Sequence, residues 1–380
     1  MQNPEVVVVG LGAMGALTLW RLAARGVAAL GVDRFAPPHD RGSSHGGSRI
    51  IRTAYSEGAF YVPLLQEAWT LWDELERASG TRLIHPSGAL MIGGPDSDVV
   101  RGALESARSH GLAHELFEAG AARARWPQHV LGGNEVALFE PRAGALLPEA
   151  AVGAALDAAR ARGAGVLTGR RVAGIECGDR EVMVGLDGGD TLTCRHCVVA
   201  AGPWTGALLP ELSASLEVER QVVAWLPVDD PAMFGPERFP VFLRQLPDGR
   251  YRYGIPSLDG ATIKVAVHHE GARTAPDALL REAGPSDLGP VVEFARTALR
   301  GVRPEIARSS VCMYTNTPDE RFMLGALPGR PGLTVVGGCS GHSFKFSAIL
   351  GDVAADLAVD GSTRRDVAAF DPARLVGVPR

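Results

Sequence analysis

The stretch VVVVGLGAMG, residues 6–15, decides how this chain begins to fold. Its four valines predict a buried strand, and the glycines that follow predict a turn into a helix. A second apolar stretch, residues 28–32, ends in Asp33. Together these features predict a βαβ unit whose glycine turn and terminal acid hold the ADP-ribose part of a dinucleotide.

Each glycine of the turn has a physical role in this prediction. Gly10 permits the tight turn, Gly12 lets backbone N–H groups approach a pyrophosphate, and Gly15 lets the helix pack closely on the strand. The helix N-terminus then faces the phosphate charge. The motif alone does not separate NAD from FAD, so an NAD-dependent dehydrogenase stays open at this point, as does a glycine turn that binds nothing.

The composition fits a catalytic-sized globular protein. A chain of 380 residues can form about two domains with a cleft between them. The 38 Lys and Arg residues and 43 Asp and Glu residues leave a net charge of -5 without a long basic block, which argues against nucleic acid and membrane partners. The start MQNPE lacks a charged n-region, and residues 6–20 are too short and glycine-rich to span a bilayer, so we expect a cytoplasmic protein.

Cysteine usage argues against a secreted disulfide framework, because five is an odd number in a large chain. Cys194 and Cys197 form a C-x-x-C pair, which can be redox-active or bind a metal. The pair lies on the approach to a strand and has no matching pair, so we expect no metal site there. The remaining cysteines are Cys177, Cys312 and Cys339.

Hydrophobic periodicity divides the chain into helices and strands. The predicted helices cover residues 15–25, 61–79, 148–162 and a segment from about 345. The predicted strands include a hairpin of 182–186 and 191–201 around the turn 187–190, and a further strand at 333–338. We therefore predict an α/β (α+β) fold with two lobes. A Rossmann-like nucleotide lobe is expected from residues 1–80, 141–215 and 304–380, and a mainly antiparallel second lobe from 81–140 and 216–303.

Four stretches of the sequence carry a resemblance to a known family. They are Asp33 with residues 37–39, GSSHGGSRIIRTAY at residues 42–55 with residues 57–58, VCMYT at residues 311–315 with residues 318–320, and residues 341–347. Over nearly its whole length the chain resembles the monomeric sarcosine oxidase and N-methyltryptophan oxidase family, flavoenzymes of the D-amino-acid-oxidase superfamily. The resemblance implies that the nucleotide lobe binds FAD and that the second lobe binds the substrate.

The third stretch is the sharpest signature. In the family its cysteine is joined through sulfur to the 8α carbon of FAD, so the resemblance implies a covalent flavin on Cys312. An oxidised isoalloxazine is electron-poor and can accept a thiolate at that position. Without the resemblance, Cys312 would be read as a small buried core residue.

The full set of cofactor-binding residues implied by the motifs is Gly10, Gly12, Ala13, Met14, Gly15, Asp33, Arg34, Ser43, Ser44, His45, Arg49, Val172, Ala201, Gly202, Trp204, Cys312, Met313, Gly338, Gly341, His342, Phe344 and Lys345.

Two cations are the expected substrate anchors. By resemblance, Arg52 binds the substrate carboxylate and Lys345 is the second cation, while Glu57 holds Arg52 by a salt bridge. A guanidinium offers paired donors that suit a carboxylate, and an ammonium adds charge with less directional demand. The alternative treats Arg49 and Arg52 as ordinary surface charges.

Lys264 lies in the otherwise apolar segment 262–268, where strand alternation sends it to the same face as Thr262, Ala266 and His268. The resemblance implies that Lys264 activates oxygen near flavin N5, because a fixed positive charge stabilises superoxide as it forms. The alternative is an edge-strand lysine that discourages aggregation.

The resemblance also assigns His268 and Tyr253 to the substrate pocket and His45 and Arg49 to catalytic positions near the flavin. A lone histidine is more often structural than a proton carrier, and the adjacent His269 leaves the register open by one residue. Departures from the family pattern at Cys339, at residues 243–246 and at residues 46–48 affect the expected substrate.

The expected reaction is oxidation of a carboxylate-bearing secondary amine, such as sarcosine or another N-methyl amino acid. An imine forms and hydrolyses to aldehyde and amine, while O2 is reduced to H2O2. A cyclic imino acid such as pipecolate is an alternative substrate, and a catalytically silent flavin-binding protein is an alternative function. We expect a monomer.

Overall fold

The computed structural model describes residues 4–377, so residues 1–3 and 378–380 of the predicted nucleotide lobe lie outside the described residues. The helices are α1 Ala13–Ala24, α2 Val62–Ser79, α3 Asp98–Ser109, α4 Ala119–Arg125, α5 Pro148–Arg160, α6 Thr205–Leu208, α7 Pro210–Ser213, α8 Pro285–Ala298 and α9 Ser347–Asp360. The strands are β1 Val6–Val9, β2 Ala29–Asp33, β3 Arg49–Ile51, β4 Ile84–Pro86, β5 Ala89–Gly93, β6 Glu115–Glu118, β7 Val136–Glu140, β8 Gly144–Leu146, β9 Gly165–Thr168, β10 Val172–Cys177, β11 Val182–Leu186, β12 Thr191–Cys194, β13 His196–Val199, β14 Glu217–Pro227, β15 Val241–Gln245, β16 Tyr251–Ile255, β17 Thr262–His268, β18 Arg308–Asn316, β19 Met323–Ala326 and β20 Leu333–Gly337.

The nucleotide lobe is built on a six-stranded sheet of order β19-β20-β13-β1-β2-β9. Its strands run parallel from β20 to β9, and β19 pairs antiparallel with β20. Along β1, Val6 and Val8 pack into the core that also holds the apolar residues of α1, α5 and α9. Val7 and Val9 pack on the opposite face, against the three-stranded sheet β10-β11-β12. Both faces are covered, and this is why the strand is an unbroken run of valines.

The second lobe is built on an eight-stranded sheet of order β18-β14-β17-β16-β15-β5-β7-β6. Only the β15–β5 pair in this sheet is parallel, so the predicted mainly antiparallel sheet is confirmed. Along β17, Ile263 and Val265 pack into the core formed with α8. Ala266 belongs to a small cluster on the other face. The alternation places Lys264 and His268 on that second face, away from α8.

One predicted strand was wrong, and two predicted helix starts differ from the structure by two residues. The predicted strand 191–201 is two strands, because the chain leaves the small antiparallel sheet after Cys194 and enters the parallel sheet at His196. At the break, the Arg195 N–H donates to the Glu5 carbonyl (3.0 Å), which starts the new pairing. Helix α1 begins at Ala13 rather than at residue 15, and α9 begins at Ser347 after a 3₁₀ turn over Phe344–Phe346.

The predicted division into lobes assigns residues 304–380 to the nucleotide lobe. The sheet topology differs from this division at two elements. Strand β18 pairs with β14 along the edge of the eight-stranded sheet, and β4, predicted to belong to the second lobe, pairs with β8 of the predicted nucleotide lobe. Residues 308–316 thus extend the second sheet towards the nucleotide lobe. The division as a whole stays a prediction.

A search for membrane-crossing helices across residues 4–377 finds none with both the length and the apolar character required.

Candidate active site

The first cleft of the site lies at the carboxyl ends of β1 and β2, and we call it the nucleotide cleft. The two carboxylate oxygens of Asp33 accept hydrogen bonds from the N–H groups of Leu11 and Phe35, each at 2.7 Å. These bonds fix the acid beside the glycine turn and bury it. Seven residues predicted to bind the cofactor line this cleft: Gly10, Gly12, Asp33, Arg34, Val172, Ala201 and Trp204.

A second cleft, the middle cleft, begins at the N-terminus of α1. Ser44 reaches over this end, where its Oγ accepts a hydrogen bond from the Ala13 N–H (3.0 Å). The first-turn N–H groups of a helix have no partners within the helix, and together with the helix dipole they suit an anion. Eleven predicted cofactor residues line the middle cleft: Gly12, Ala13, Met14, Ser43, Ser44, Arg49, Gly202, Met313, Gly338, Gly341 and Phe344.

The glycine turn is packed so closely that two of its positions leave no room for a side chain. Gly10 has φ +87°, and a Cβ there would lie 2.5 Å from the Ala200 carbonyl oxygen. A Cβ on Gly15 would lie 1.7 Å from the Gly10 carbonyl oxygen, so only glycine lets the helix seat on the turn. Gly15 therefore acts inside the packing, and it is not among the residues that line the clefts.

A third cleft, the cation cleft, shares Arg49, Tyr314, Gly341 and Phe344 with the middle cleft. The middle cleft in turn shares Gly12 with the nucleotide cleft. The three clefts are therefore adjacent, and we call them together the trough. The predicted residues that line the cation cleft are Arg49, Arg52, Tyr253, His268, Cys312, Gly341, His342, Phe344 and Lys345.

Arg52 is buried at the end of the trough, with only 1% of its surface exposed. Its guanidinium donates to the Ala54 carbonyl (2.7 Å) and to both carboxylate oxygens of Glu57 (2.7 and 3.0 Å). Burial alone would raise the pKa of Glu57, but the positive charge of Arg52 outweighs it and holds that pKa below its usual range. The expected Arg52–Glu57 salt bridge is present.

Lys345 lies beside this pair and is 5% exposed. Its Nζ donates to the His342 carbonyl (2.6 Å), and the Tyr55 hydroxyl oxygen lies 3.5 Å away. Burial and the nearby charge of Arg52 lower the pKa of Lys345 to about 7. Its positive charge is therefore sensitive to pH in the neutral range.

Lys264 is held differently from the other two cations. Its Nζ donates to the Gly46 carbonyl (3.1 Å) and to the Ser48 carbonyl, and it is 2% exposed. Burial and the charge of Arg49 lower the pKa of Lys264 well below its ordinary value. Among the described residues Lys264 is not part of the lining of the trough, although Cys312, which is part of it, lies within electrostatic range.

Cys312 comes from β18 and is a free, buried thiol in the wall of the cation cleft. Burial raises the pKa of its thiol, while the positive charges of Arg49 and Lys264 oppose that rise. Arg49 also stabilises the preceding loop, because its guanidinium donates hydrogen bonds to the carbonyls of Ser43 (2.8 Å) and His45 (2.6 Å). The sulfur therefore stands close to two cations that favour its thiolate.

His45 lies behind the loop rather than in the lining of the trough. Its Nδ1 is 3.4 Å from the Ser310 hydroxyl, and its buried Nε2 has no hydrogen-bond partner. Burial and Arg49 lower the pKa of His45 to about 4, so the ring is neutral at neutral pH.

The structure decides between the two adjacent histidines. His268 faces the cation cleft and lies 3.1 Å from the Tyr314 hydroxyl, whereas His269 has φ +57° and its Nδ1 lies 3.2 Å from the Glu219 carboxylate. Burial and the neighbouring His269 lower the pKa of His268 well below its usual value. Tyr253 lines the same cleft, and burial raises its pKa to about 12.

Comparison with known proteins identifies the family. Residues 5–357 match a family model described as DAO, FAD dependent oxidoreductase. The chain belongs to this family. The monomeric sarcosine oxidase of Streptomyces avermitilis is 37% identical to it over 379 residues, which cover 99% of this chain and 98% of that protein. The N-methyl-L-tryptophan oxidase of Salmonella dublin is 34% identical over 373 residues, which cover 98% and 99%.

The solved structures lead to the same family. NikD, described as an unusual amino acid oxidase essential for nikkomycin biosynthesis, superposes with a TM-score of 0.85 at 26% identity, covering 98% of both chains. As an FAD dependent oxidoreductase, the chain takes FAD as its dinucleotide, and the NAD-dependent dehydrogenase alternative is set aside. The trough fits FAD by its glycine cradle, its helix N-terminus and its series of three adjacent clefts.

Several residues of this FAD-dependent site were not assigned a role from the sequence. Tyr251 and Tyr314 line the cation cleft. Glu140, at the end of β7, accepts hydrogen bonds from the N–H groups of Thr53 (2.8 Å) and Ala54 (3.0 Å) and so fixes the backbone next to Arg52. Nothing local in the sequence marks Glu140, because its partners are more than 80 residues away.

One sequence signal was overlooked. The sequence contains two lysines, Lys264 and Lys345, and all the other residues in its count of Lys and Arg are arginine. Arginine stays charged in proteins, whereas a buried lysine changes its pKa readily. Both lysines are buried, so their charges respond to the surroundings in a way that arginine charges would not.

The departures from the family pattern fall in different places. Leu243 lines the cation cleft and Cys339 lines the middle cleft. Arg244 is buried in an ion pair with Glu135 (2.5 Å) and is not part of the trough lining.

Proposed function

We propose that this chain is an FAD-dependent oxidase of a carboxylate-bearing secondary amine, with sarcosine or another N-methyl amino acid as the substrate. The amine is oxidised to an imine, which water hydrolyses to an aldehyde and an amine, and O2 is reduced to H2O2. One observation carries the proposal: Arg52 and Lys345 lie together at the far end of the trough that starts at the dinucleotide turn. The relatives named as sarcosine and N-methyl-L-tryptophan oxidases support it.

The cation pair binds the substrate carboxylate. Arg52 binds the Glu57 carboxylate through a single nitrogen, Nη2, and its Nη1 donates to the Ala54 carbonyl, so Nε–H and the second Nη1 hydrogen remain for a substrate carboxylate. Lys345 adds an ammonium that is charged in slightly acidic and neutral solution. Binding at two fixed cations orients the rest of the substrate along the trough, which converts an encounter into an aligned step.

The amine end of the substrate lies against the tyrosine and histidine wall of the cation cleft. Burial keeps the Tyr314 hydroxyl protonated, and its oxygen lies 3.1 Å from Nδ1 of His268. Burial also lowers the pKa of His268, so the ring is a neutral, polar neighbour for the substrate nitrogen. Leu243 and Val223 complete this wall with apolar surface.

Bound FAD supplies the chemistry of accepting two electrons from the substrate and passing them to oxygen. In this proposal Gly10, Gly12 and Asp33 hold the ADP part, and Arg49 and Met313 border the flavin part. Cys312 is the point of covalent attachment, which its place in the trough and its neighbouring cations support. Lys264 is the cation that stabilises reduced oxygen.

The proposal further includes a monomeric enzyme located in the cytoplasm. The name of the Streptomyces avermitilis relative, monomeric sarcosine oxidase, supports the monomer. Mass photometry or sedimentation of the purified protein tests it.

The decisive experiment measures peroxide release from purified holoenzyme over a panel of amines. Sarcosine, N-methyl-L-tryptophan and pipecolate test the substrate class, and dimethylamine is the matched control, since it keeps the secondary amine but lacks the carboxylate. We expect peroxide with at least one N-methyl amino acid and none with dimethylamine. Preferential oxidation of pipecolate would favour a cyclic imino acid substrate. A flavin that none of these amines bleaches without oxygen would indicate a silent flavin-binding protein.

A further inference from the structure

The loop Gly46–Ser48 is held from two sides by side chains of opposite charge. Glu149 Oε1 accepts hydrogen bonds from the N–H groups of Gly46 (2.7 Å) and Gly47 (3.0 Å). On the other side, Lys264 Nζ donates to the carbonyls of Gly46 (3.1 Å) and Ser48. The three loop residues therefore link a carboxylate to an ammonium through the backbone. The two side chains come from α5 and β17, which are far apart in sequence.

The backbone conformation of the loop makes this arrangement possible. Gly46 and Gly47 have φ values of +98° and +76°, a region that residues with side chains rarely adopt. Two such residues in succession turn their N–H groups to one side, where a single carboxylate oxygen accepts both. Glycine at both positions is therefore the residue that this backbone conformation favours. The loop leads directly into Arg49, which borders both the middle and the cation clefts.

The charges around Lys264 show why a carboxylate matters there. Arg49 and Arg308 oppose its protonation, and burial opposes it further. Cys312 and Glu149 favour it, and the nearby His45 ring is neutral. Cys312 can offset a positive charge only as a thiolate, and it no longer does so once its sulfur is alkylated. Glu149 is then the remaining carboxylate among the groups that act on Lys264.

We infer that Glu149 is a positioning residue for Lys264. It holds the loop whose carbonyls fix the Lys264 ammonium, and its charge favours the protonated form of that ammonium. The oxygen-activating role of Lys264 rests on the proposed function, but the dependence of Lys264 on Glu149 does not.

The lysine content of the chain allows a direct test. Holoenzyme grown with lysine labelled with ¹³C at the ε carbon contains two labelled side chains, those of Lys264 and Lys345. Their signals are assigned with Lys264→Met and Lys345→Met, and each is titrated by NMR across the pH range in which the fold persists. The test variant is Glu149→Gln, which keeps an oxygen acceptor for the loop but removes the charge. The matched control is Asp157→Asn, an exposed carboxylate on the same helix that pairs only with Arg160 in the structure (3.0 Å).

We expect Glu149→Gln to lower the titration midpoint of Lys264 and to leave that of Lys345 in place, because Arg52 and Glu57 are the charged groups that act on Lys345. Asp157→Asn should move neither midpoint. The pH profile of flavin reoxidation by oxygen should shift downward with the Lys264 midpoint, while anaerobic reduction stays unchanged.

The outcomes separate the inference from the proposed function. An unchanged Lys264 midpoint in Glu149→Gln overturns the inference, and so does an equal shift of both lysines, which would indicate general structural damage. If the Lys264 midpoint shifts but Lys264→Met reoxidises as fast as the wild type, the inference stands and the proposed oxygen role of Lys264 falls.

Discussion

Replacement of Lys345 by methionine is the most informative perturbation of the substrate anchor. Methionine has nearly the same length and no charge, so it removes the Nζ donor while filling the same space. The Arg52–Glu57 pair (2.7 Å) does not include Lys345, so this change leaves Glu57 with its partner. Replacing Arg52 instead would remove a guanidinium that is only 1% exposed and would leave Glu57 without that partner, so folding and binding would change together. Lys345→Met therefore isolates binding from folding.

The expected loss follows from the interaction that is removed. A hydrogen bond to a charged group contributes about 1.5–3 kcal/mol. At about 1.4 kcal/mol per tenfold change in affinity, the Kd for a carboxylate ligand should rise roughly 10- to 140-fold. Since Lys345 has a pKa of about 7, its charge is present below that pH and lost above it. The affinity of the wild type for a carboxylate ligand should therefore fall as pH rises through about 7. The affinity of the variant should not show this decrease.

The assay is a titration of the flavin absorbance of the holoenzyme with butyrate, which matches sarcosine in chain length but has no oxidisable amine. Butyramide, its uncharged counterpart, is the control ligand and should bind wild type and variant equally. Thermal unfolding of both proteins checks that the fold is intact. Equal butyrate affinity of the two proteins, or the same pH dependence in both, would refute the placement of Lys345 in carboxylate binding.

Three further substitutions test separate parts of the site. Lys264→Met should slow reoxidation by oxygen far more than anaerobic reduction, measured by stopped-flow absorbance, and equal slowing of both steps would move Lys264 to a structural role. Cys312→Ser should release its flavin on acid denaturation while the wild type keeps the yellow colour on the polypeptide; release from both would exclude attachment at Cys312. Gly15→Ala should lower the free energy of unfolding by about 1–3 kcal/mol in urea, because its Cβ would meet the Gly10 carbonyl oxygen at 1.7 Å. Gly153→Ala in α5 is its control, since nothing lies within 4 Å of the added Cβ and the change should stabilise the helix by about 0.5–1 kcal/mol.

Local patterns in the sequence were sufficient for the opening βαβ unit of the nucleotide lobe. The strand, the turn and the first helix are contiguous in sequence, so steric contacts within residues 6–15 are enough to specify them. Alternation along β17 likewise predicted that Lys264 and His268 share a face, because successive side chains of a strand point to opposite sides. The break after Cys194 was missed, because local pattern does not show that one run of residues pairs with two different sheets.

The sequence by itself thus determined the FAD-binding architecture, the family and the faces on which Lys264 and His268 lie. The tertiary structure alone decided that His268 rather than His269 borders the cleft and that Lys264 binds the loop at residues 46–48. It also brought Glu149 to the same loop. These contacts join residues 218 and 103 positions apart, as in Lys264 with Gly46 and Glu149 with Gly46. Periodicity specifies the face of an element, but the partner on that face depends on how distant elements pack.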